Sequence, residues 1–189
     1  MKVRDSGMPE ESLWSKFFDA NNILEKLEIN NSVNNLAEFG CGYGTFTIEA
    51  ARRISGRLFA FDIEQEMIEF TRNRAIQENV QNIDFFNRDI ISTGSSLKPG
   101  SVDYVMVFNI LHHEKPIELL AEAHNILQSK GKVGIIHWRT DIETPRGPEM
   151  SIRPKPEQCM KWAVEAGFSI SKQPEILEPF HYGLVIQKN

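Results

Sequence analysis

Short apolar runs alternate along this chain with longer segments whose apolar residues recur every third or fourth position, so strands are expected to alternate with helices. Leu13, Trp14, Phe17, Phe18, Ile23, Leu24 and Leu27 form a helical stripe over 11–27, a front helix or pair; residues 1–10 carry no such period. Strand-like runs follow at 35–38, 57–62, 83–90, 102–109 and 132–138. Between them the spacing predicts helices over 45–54, with Phe46, Ala50 and Ile54 on one face, and over 64–79, with Ile68, Thr71 and Ala75 inward. Pro116 opens another helix with Ile117, Leu120, Ala121 and Leu127 on its buried face, closing at Lys130-Gly131. After a long connection at 139–156, a helix over 157–166 precedes two strands, 168–177 and 181–188, expected to close as an antiparallel hairpin. The alternation predicts an α/β fold with a doubly wound sheet of seven strands.

The first strand runs into three glycines at alternate positions, Gly40, Gly42 and Gly44, and then into a helix. Without Cβ atoms, such a loop takes positive φ angles and lets a ligand lie against bare backbone at the strand's carboxyl edge. The spacing is Gly-x-Gly-x-Gly, and Thr45 stands where the last glycine of a dinucleotide site would be. Glu38 beside the loop would repel phosphate but suits a ligand ammonium, so a cationic nucleoside with an amino acid tail, such as S-adenosylmethionine, fits better than NAD. Asp62 ends the second strand about twenty residues past the loop, the spacing of an acid that accepts from both ribose hydroxyls. The competing role is a cap for the following helix, and one Asp could do part of both. Ile63 would offer an apolar edge to adenine.

Composition bounds the partners. The chain has 189 residues, 41% hydrophobic and 25% charged, as expected for one globular domain over 1–189, with 1–30 as a helical lid or cover and 31–189 as core. A net charge of −5 and a pI of about 5.6 make a nucleic-acid partner unlikely. No window is apolar enough to span a bilayer and the N-terminus lacks a signal-peptide core, so a cytoplasmic location is expected. Cys41 and Cys159 stand apart without metal-ligand spacing, so no metal is expected. Cys41, inside the loop, reads as a cofactor-site residue that fits by its small size more than as a redox group.

The stretch Glu38-Phe39-Gly40-Cys41-Gly42-Tyr43-Gly44 resembles the first motif of the class I S-adenosylmethionine-dependent methyltransferases, most closely the small-molecule type that includes the ubiquinone/menaquinone-biosynthesis enzymes. The resemblance implies a mostly parallel sheet of order 3-2-1-4-5-7-6 with an antiparallel last strand, S-adenosylmethionine as cofactor and a small-molecule acceptor. It also implies that Asp89 accepts from the adenine amino group and that the Ile90 backbone reads the ring. Asn109-Ile110-Leu111-His112-His113 falls at the fourth motif, which lines the methionine tail and the acceptor. It lacks the Asn/Asp-Pro-Pro-Tyr of relatives that methylate planar amines and amides.

His112 and His113 are candidate bases and acceptor contacts, or a pair that caps a loop. Trp14, Phe17 or Phe18 could close over the site as a lid, or merely cover the sheet. In the long connection, Pro145, Pro148 and Pro154 restrain the backbone, and Arg146 or Arg153 is expected to face the acceptor. Two other functions stay open: a cofactor-binding module without turnover, and an NAD(P)-dependent oxidoreductase.

Overall fold

The computed structural model describes residues 9–189; most of the 1–10 stretch expected to lack periodic structure lies outside the described residues. The chain runs through α1 (Glu11–Trp14), a 3-10 turn at Ser15–Phe17, α2 (Ala20–Lys26), β1 (Leu36–Phe39), α3 (Thr47–Arg53), β2 (Leu58–Asp62), α4 (Gln65–Gln77) and β3 (Ile83–Asn87). It continues through α5 (Ile90–Thr93), β4 (Val102–Phe108), α6 (Pro116–Ile126), β5 (Leu127–Trp138), a 3-10 turn at Met150–Ile152, α7 (Pro156–Glu165), β6 (Phe168–Leu177) and β7 (His181–Lys188).

The seven strands form one sheet in the order β3-β2-β1-β4-β5-β7-β6. β1 is central, parallel to β2 on one side and β4 on the other, and β7 runs antiparallel to both β5 and β6. All four β1 residues are buried, as expected for a parallel strand covered on both faces. Alternate residues of β4 serve opposite layers. Tyr104, Met106 and Phe108 join Leu24, Ile48 and Ile68 beneath α2, α3 and α4, whereas Val105 and Val107 join Leu120 and Ala163 beneath α6 and α7. The Tyr104 hydroxyl donates to the Leu27 carbonyl at 2.7 Å, tying the end of α2 to the sheet. Among the described residues no helix is long and apolar enough to cross a membrane.

Three elements differ from expectation. The helix opened by Pro116 ends at Ile126, and its buried face is Leu119, Leu120, Ala123 and Ile126; Ile117 and Ala121 are exposed. β5 begins at Leu127, which pairs with Val102, before a bulge with Lys130 at φ +62° lets Lys132 resume opposite Tyr104. The run expected as a strand over 83–90 ends at Asn87, and a short α5 forms from Ile90, because the Asp89 side chain accepts from the amides of Ile91 and Ser92.

Arg153 also has a task other than facing an acceptor. It is buried, with Nε donating to the Pro148 carbonyl at 2.8 Å, Nη1 to Arg139 at 3.1 Å and Nη2 to Arg146 at 3.1 Å. Its guanidinium lies 5.5 Å from the Trp138 ring centroid. One planar cation thus gathers three carbonyls of the connection after β5, which fixes that loop against the sheet. A lysine ammonium also has three donors, but it lacks the planar fork whose separate nitrogens reach these three carbonyls. Arg153→Lys is expected to cost roughly 1 to 3 kcal/mol in chemical denaturation and to expose residues 139–153 to proteolysis. Unchanged stability and protection would contradict this role.

Candidate functional site

The loop after β1 is suspended from β2 and α4. Gly40, Gly42 and Gly44 have φ of +82°, +52° and +75°, all in the left-handed region. The amides of Gly40 and Cys41 donate to the Phe61 carbonyl at 2.8 and 2.9 Å, and Gly42 N–H donates to Asp62 Oδ2 at 2.9 Å. From α4, Thr71 Oγ1 donates to the Gly42 carbonyl at 2.7 Å. Gly44 has a packing reason to be glycine, since a Cβ there would stand 2.7 Å from Thr71 Cγ2.

This loop forms one wall of a cavity of about 230 Å³ at the carboxyl edge of β1, β2 and β4. Glu38, Gly40, Cys41, Gly42, Asp62, Ile63, Asp89, Ile90, Asn109, Trp14, His112 and His113 all line it. Among the residues expected at the site, Gly44, Arg146 and Arg153 do not. The position is the crevice where open α/β sheets bind ligands.

Charge in the cavity is mostly acidic and tightly held. Glu38 sits in the buried central strand, and burial pushes its carboxyl up to about 8. A 2.5 Å hydrogen bond from Thr47 Oγ1 opposes that rise and the nearby Asp62 charge adds to it. Near neutral pH the ligand-free protein therefore keeps Glu38 largely protonated. The other Asp62 oxygen, Oδ1, accepts from Glu64 N–H at 3.0 Å, so this one side chain supports both the loop and the entry to α4. Burial alone would raise Asp89, but hydrogen bonds from Ser92 and Ile91 outweigh it and hold the carboxyl below its usual range. Burial, with the charges of Glu38 and Asp62, lifts the Cys41 thiol well above its ordinary value, which leaves it inert as a nucleophile near neutral pH.

Two buried polar side chains at the cavity have no hydrogen-bond partner among the described residues. Asn109, at φ +58°, leaves both its amide oxygen and nitrogen unpaired, and Thr45 leaves its hydroxyl unpaired. Unsatisfied buried groups of this kind cost roughly 1 to 3 kcal/mol each, and strained φ angles of non-glycine residues gather at ligand sites. Farther along, His112 Nδ1 lies 3.2 Å from His137 Nε2. His113 is half-buried and its Nδ1 accepts from Lys115 N–H at 3.0 Å. Trp14 roofs this end, its ring centroid 4.9 Å from Phe18 and 6.2 Å from Trp138.

Several lining residues escaped the sequence reading: Thr45, Phe46, Met67, Arg88, Phe108 and Ile110. Thr45, Phe108 and Ile110 adjoin residues already singled out, so their adjacency was the available signal. Met67 and Arg88 carried none, because only the packing of α4 and the end of β3 brings them in. His137 was hidden as one polar residue in an apolar strand.

The model of a family described as a methyltransferase domain matches residues 36–131, just over half of the chain. Among curated proteins, the chain is 30% identical over 151 residues to an uncharacterized 37.1 kDa protein of a Streptomyces fradiae transposon, covering 70% of this chain and 43% of that one. It is 33% identical over 87 residues to phosphoethanolamine N-methyltransferase 1 of Arabidopsis thaliana, covering 45% of this chain and 17% of that one. The chain thus spans less than half the length of these curated relatives. Among solved structures, a SAM-dependent methyltransferase of Aquifex aeolicus superposes with a TM-score of 0.83 at 16% identity, covering 95% of this chain and 94% of that one. The strand order matches that expected of the same fold, and with the family match over 36–131 the chain belongs to the class I S-adenosylmethionine-dependent methyltransferases.

Proposed function

We propose that this protein transfers the methyl group of S-adenosylmethionine to a small, uncharged acceptor. The observation that carries this reading is the buried, unpaired Asn109 amide, held at a strained φ in a cavity that also contains the protonated Glu38 carboxyl and the Asp62 carboxylate. Those groups fit the polar parts of S-adenosylmethionine. Glu38, on losing its proton, would hold the amino group; Asn109 and the unpaired Thr45 hydroxyl would satisfy the rest of the methionine tail. Asp62 would accept from the ribose hydroxyls, with Ile63 and Met67 against adenine and Asp89 and Ile90 at its polar edge. When bound, the cofactor supplies an already activated methyl group, so the protein's task is mainly to hold the two reactants in line.

Trp14, Phe46, Phe108, His112 and His113, which line the cavity, would form its acceptor end. Among the described residues four carboxyl groups line the cavity, Glu38, Asp62, Glu64 and Asp89. Arg88, which also lines it, has its Nη1 donating to Ser96 Oγ at 2.7 Å. Such a lining disfavours an anionic acceptor, and a chain of net charge −5 disfavours nucleic acid. The finer likeness to quinone-biosynthesis methyltransferases belongs to this proposal too; an apolar, neutral acceptor is consistent with it. The α1 segment, through Trp14, would act as a cover over the bound pair.

Calorimetry should find binding of S-adenosylmethionine and S-adenosylhomocysteine but not NADH, and a panel of neutral acceptors should release S-adenosylhomocysteine. Binding without release from any acceptor would favour a module without turnover; NADH binding alone would overturn the assignment. Asp62→Ala is expected to lower S-adenosylmethionine affinity by roughly tenfold to over a hundredfold, and equal affinity in a folded variant would remove the ribose role. Stability should also respond to pH. Glu38 has a folded pKa raised from 4.5 to about 8, so the native state binds the extra proton and stability falls as pH rises through that range. The buried His137 and His181 have depressed folded values, so their contribution is complete above about 6.5 and does not mask the effect. Between pH 7 and 8.5 the ligand-free protein should lose on the order of 1 to 2 kcal/mol, and Glu38→Gln should flatten that slope. A flat profile in the parent would contradict the buried, protonated carboxyl.

A further inference from the structure

Tyr43 stands between Gly42 and Gly44 of the loop after β1, yet its side chain reaches the segment that precedes the sheet. Its hydroxyl donates to the Pro9 carbonyl at 3.2 Å, just ahead of α1, and its ring packs against the cluster of Trp14, Phe17 and Trp138. Tyr43 is not among the residues lining the cavity, whereas Trp14 of α1 is. We propose that Tyr43 is a positioning residue: its hydroxyl latches the start of α1 so that Trp14 stands over the cavity, and the cover is thereby coupled to the loop that holds the cofactor.

The tyrosine leaves the loop from a fixed point. On one side, Gly42 N–H donates to Asp62 Oδ2 at 2.9 Å and its carbonyl accepts from Thr71 Oγ1 at 2.7 Å; on the other, Gly44 is packed against Thr71 with no room for a Cβ. The Tyr43 carbonyl accepts from Arg74 Nη1 at 3.4 Å. Its ring meets Phe70 of α4 edge to face, with centroids 5.2 Å apart. A side chain clamped at its base and along its ring carries the position of the loop to whatever its far end holds.

That far end is a segment unable to place itself. α1 has four residues, too few for a helix to persist alone, and its N-cap, Glu10, makes no side-chain cap bond among the described residues. Phe17 contacts Trp138 and Phe180, both at 5.7 Å between centroids, and so holds the segment on the sheet by burial, which is non-directional. A hydrogen bond to Pro9 supplies direction, because the next carbonyl, that of Glu10, accepts from the Leu13 and Trp14 amides and builds the turn that carries the indole. Arg74 also lies 3.9 Å from Glu11 Oε1, a partly exposed pair that contributes little. A phenylalanine at position 43 would keep the ring contacts and lose the latch.

The consequence rests on reading the cavity as the S-adenosylmethionine site. Trp14 belongs to the cavity wall when α1 is docked, so a ligand in the cavity gains a contact with the docked form that the undocked form does not offer. Binding and docking then strengthen each other by the same factor. Loss of the latch lowers the docked fraction, and the apparent affinity falls with it. The wall that an acceptor would meet is stabilised by the same event that fills the cofactor site.

Hydrogen exchange reads the latch without a ligand. In the ligand-free full chain, Tyr43→Phe should speed exchange at the Leu13 and Trp14 amides by roughly two- to tenfold, with Val105 and Val107 of β4 unchanged. S-adenosylhomocysteine should slow the same two amides in the parent. By calorimetry, Tyr43→Phe should weaken S-adenosylhomocysteine binding by roughly two- to tenfold in the parent and by less than about twofold in a Trp14→Ala background, because the latch acts through the indole. Unchanged exchange at Leu13 and Trp14 in Tyr43→Phe, or an equal loss of affinity in both backgrounds, would overturn the proposal. A parent that binds neither S-adenosylmethionine nor S-adenosylhomocysteine would instead count against the proposed function, and the ligand-free exchange then decides the latch.

Discussion

A carboxyl group buried in the middle of a parallel sheet is the constraint on which this site depends. Glu38 occupies β1, covered on both faces, where an unpaired carboxylate would be costly. The protein resolves the cost by protonation, with Thr47 supplying a short hydrogen bond and Asp62 opposing a second negative charge. The result is a site with stored demand for a cation. A ligand ammonium that replaced the proton would convert the least comfortable group of the core into half of an ion pair.

The rest of the site follows from where β1 ends. Its carboxyl edge lies beside that of β4, so the glycine loop and the Asn109 turn share a wall, and a Cβ on Gly40 would press within 3.1 Å of Ile110 Cγ2. Asp62, one strand over, locks the loop by accepting from Gly42. The acid expected to serve a ligand thus also builds the loop that the ligand would rest on. Unpaired groups at Thr45 and Asn109 leave part of the lining polar, while Phe46 and Phe108, with ring centroids 4.9 Å apart, make another part apolar. Cavities of that composition orient a ligand through a few polar contacts and hold it by burial.

The fold was legible because apolar periodicity is local. The runs ending at Glu38, Asp62 and Asn109 became strands, and the last two strands closed as the expected hairpin. The loop was legible for a similar reason, since alternate glycines admit few conformations. What the sequence hid depends on distant packing. Gly44 lines no ligand space because Thr71 on α4 fills it, and Arg153 turns into its own loop because the carbonyls of Arg139, Arg146 and Pro148 converge there. His137 reads as an ordinary member of an apolar strand until β5 is set beside the loop that carries His112. The helix after Pro116 was misplaced by its rotation about its own axis, which small shifts in an apolar stripe do not specify.

The most direct test is the proton count on cofactor binding. Calorimetric titration of S-adenosylmethionine at pH 7 in buffers of different ionisation enthalpy reports the protons exchanged. If Glu38 is protonated in the ligand-free protein and pairs with the cofactor's ammonium, about one proton should be released per molecule bound, and Glu38→Gln should abolish that release. Binding with no proton release in the parent protein would contradict the account of the site at its centre.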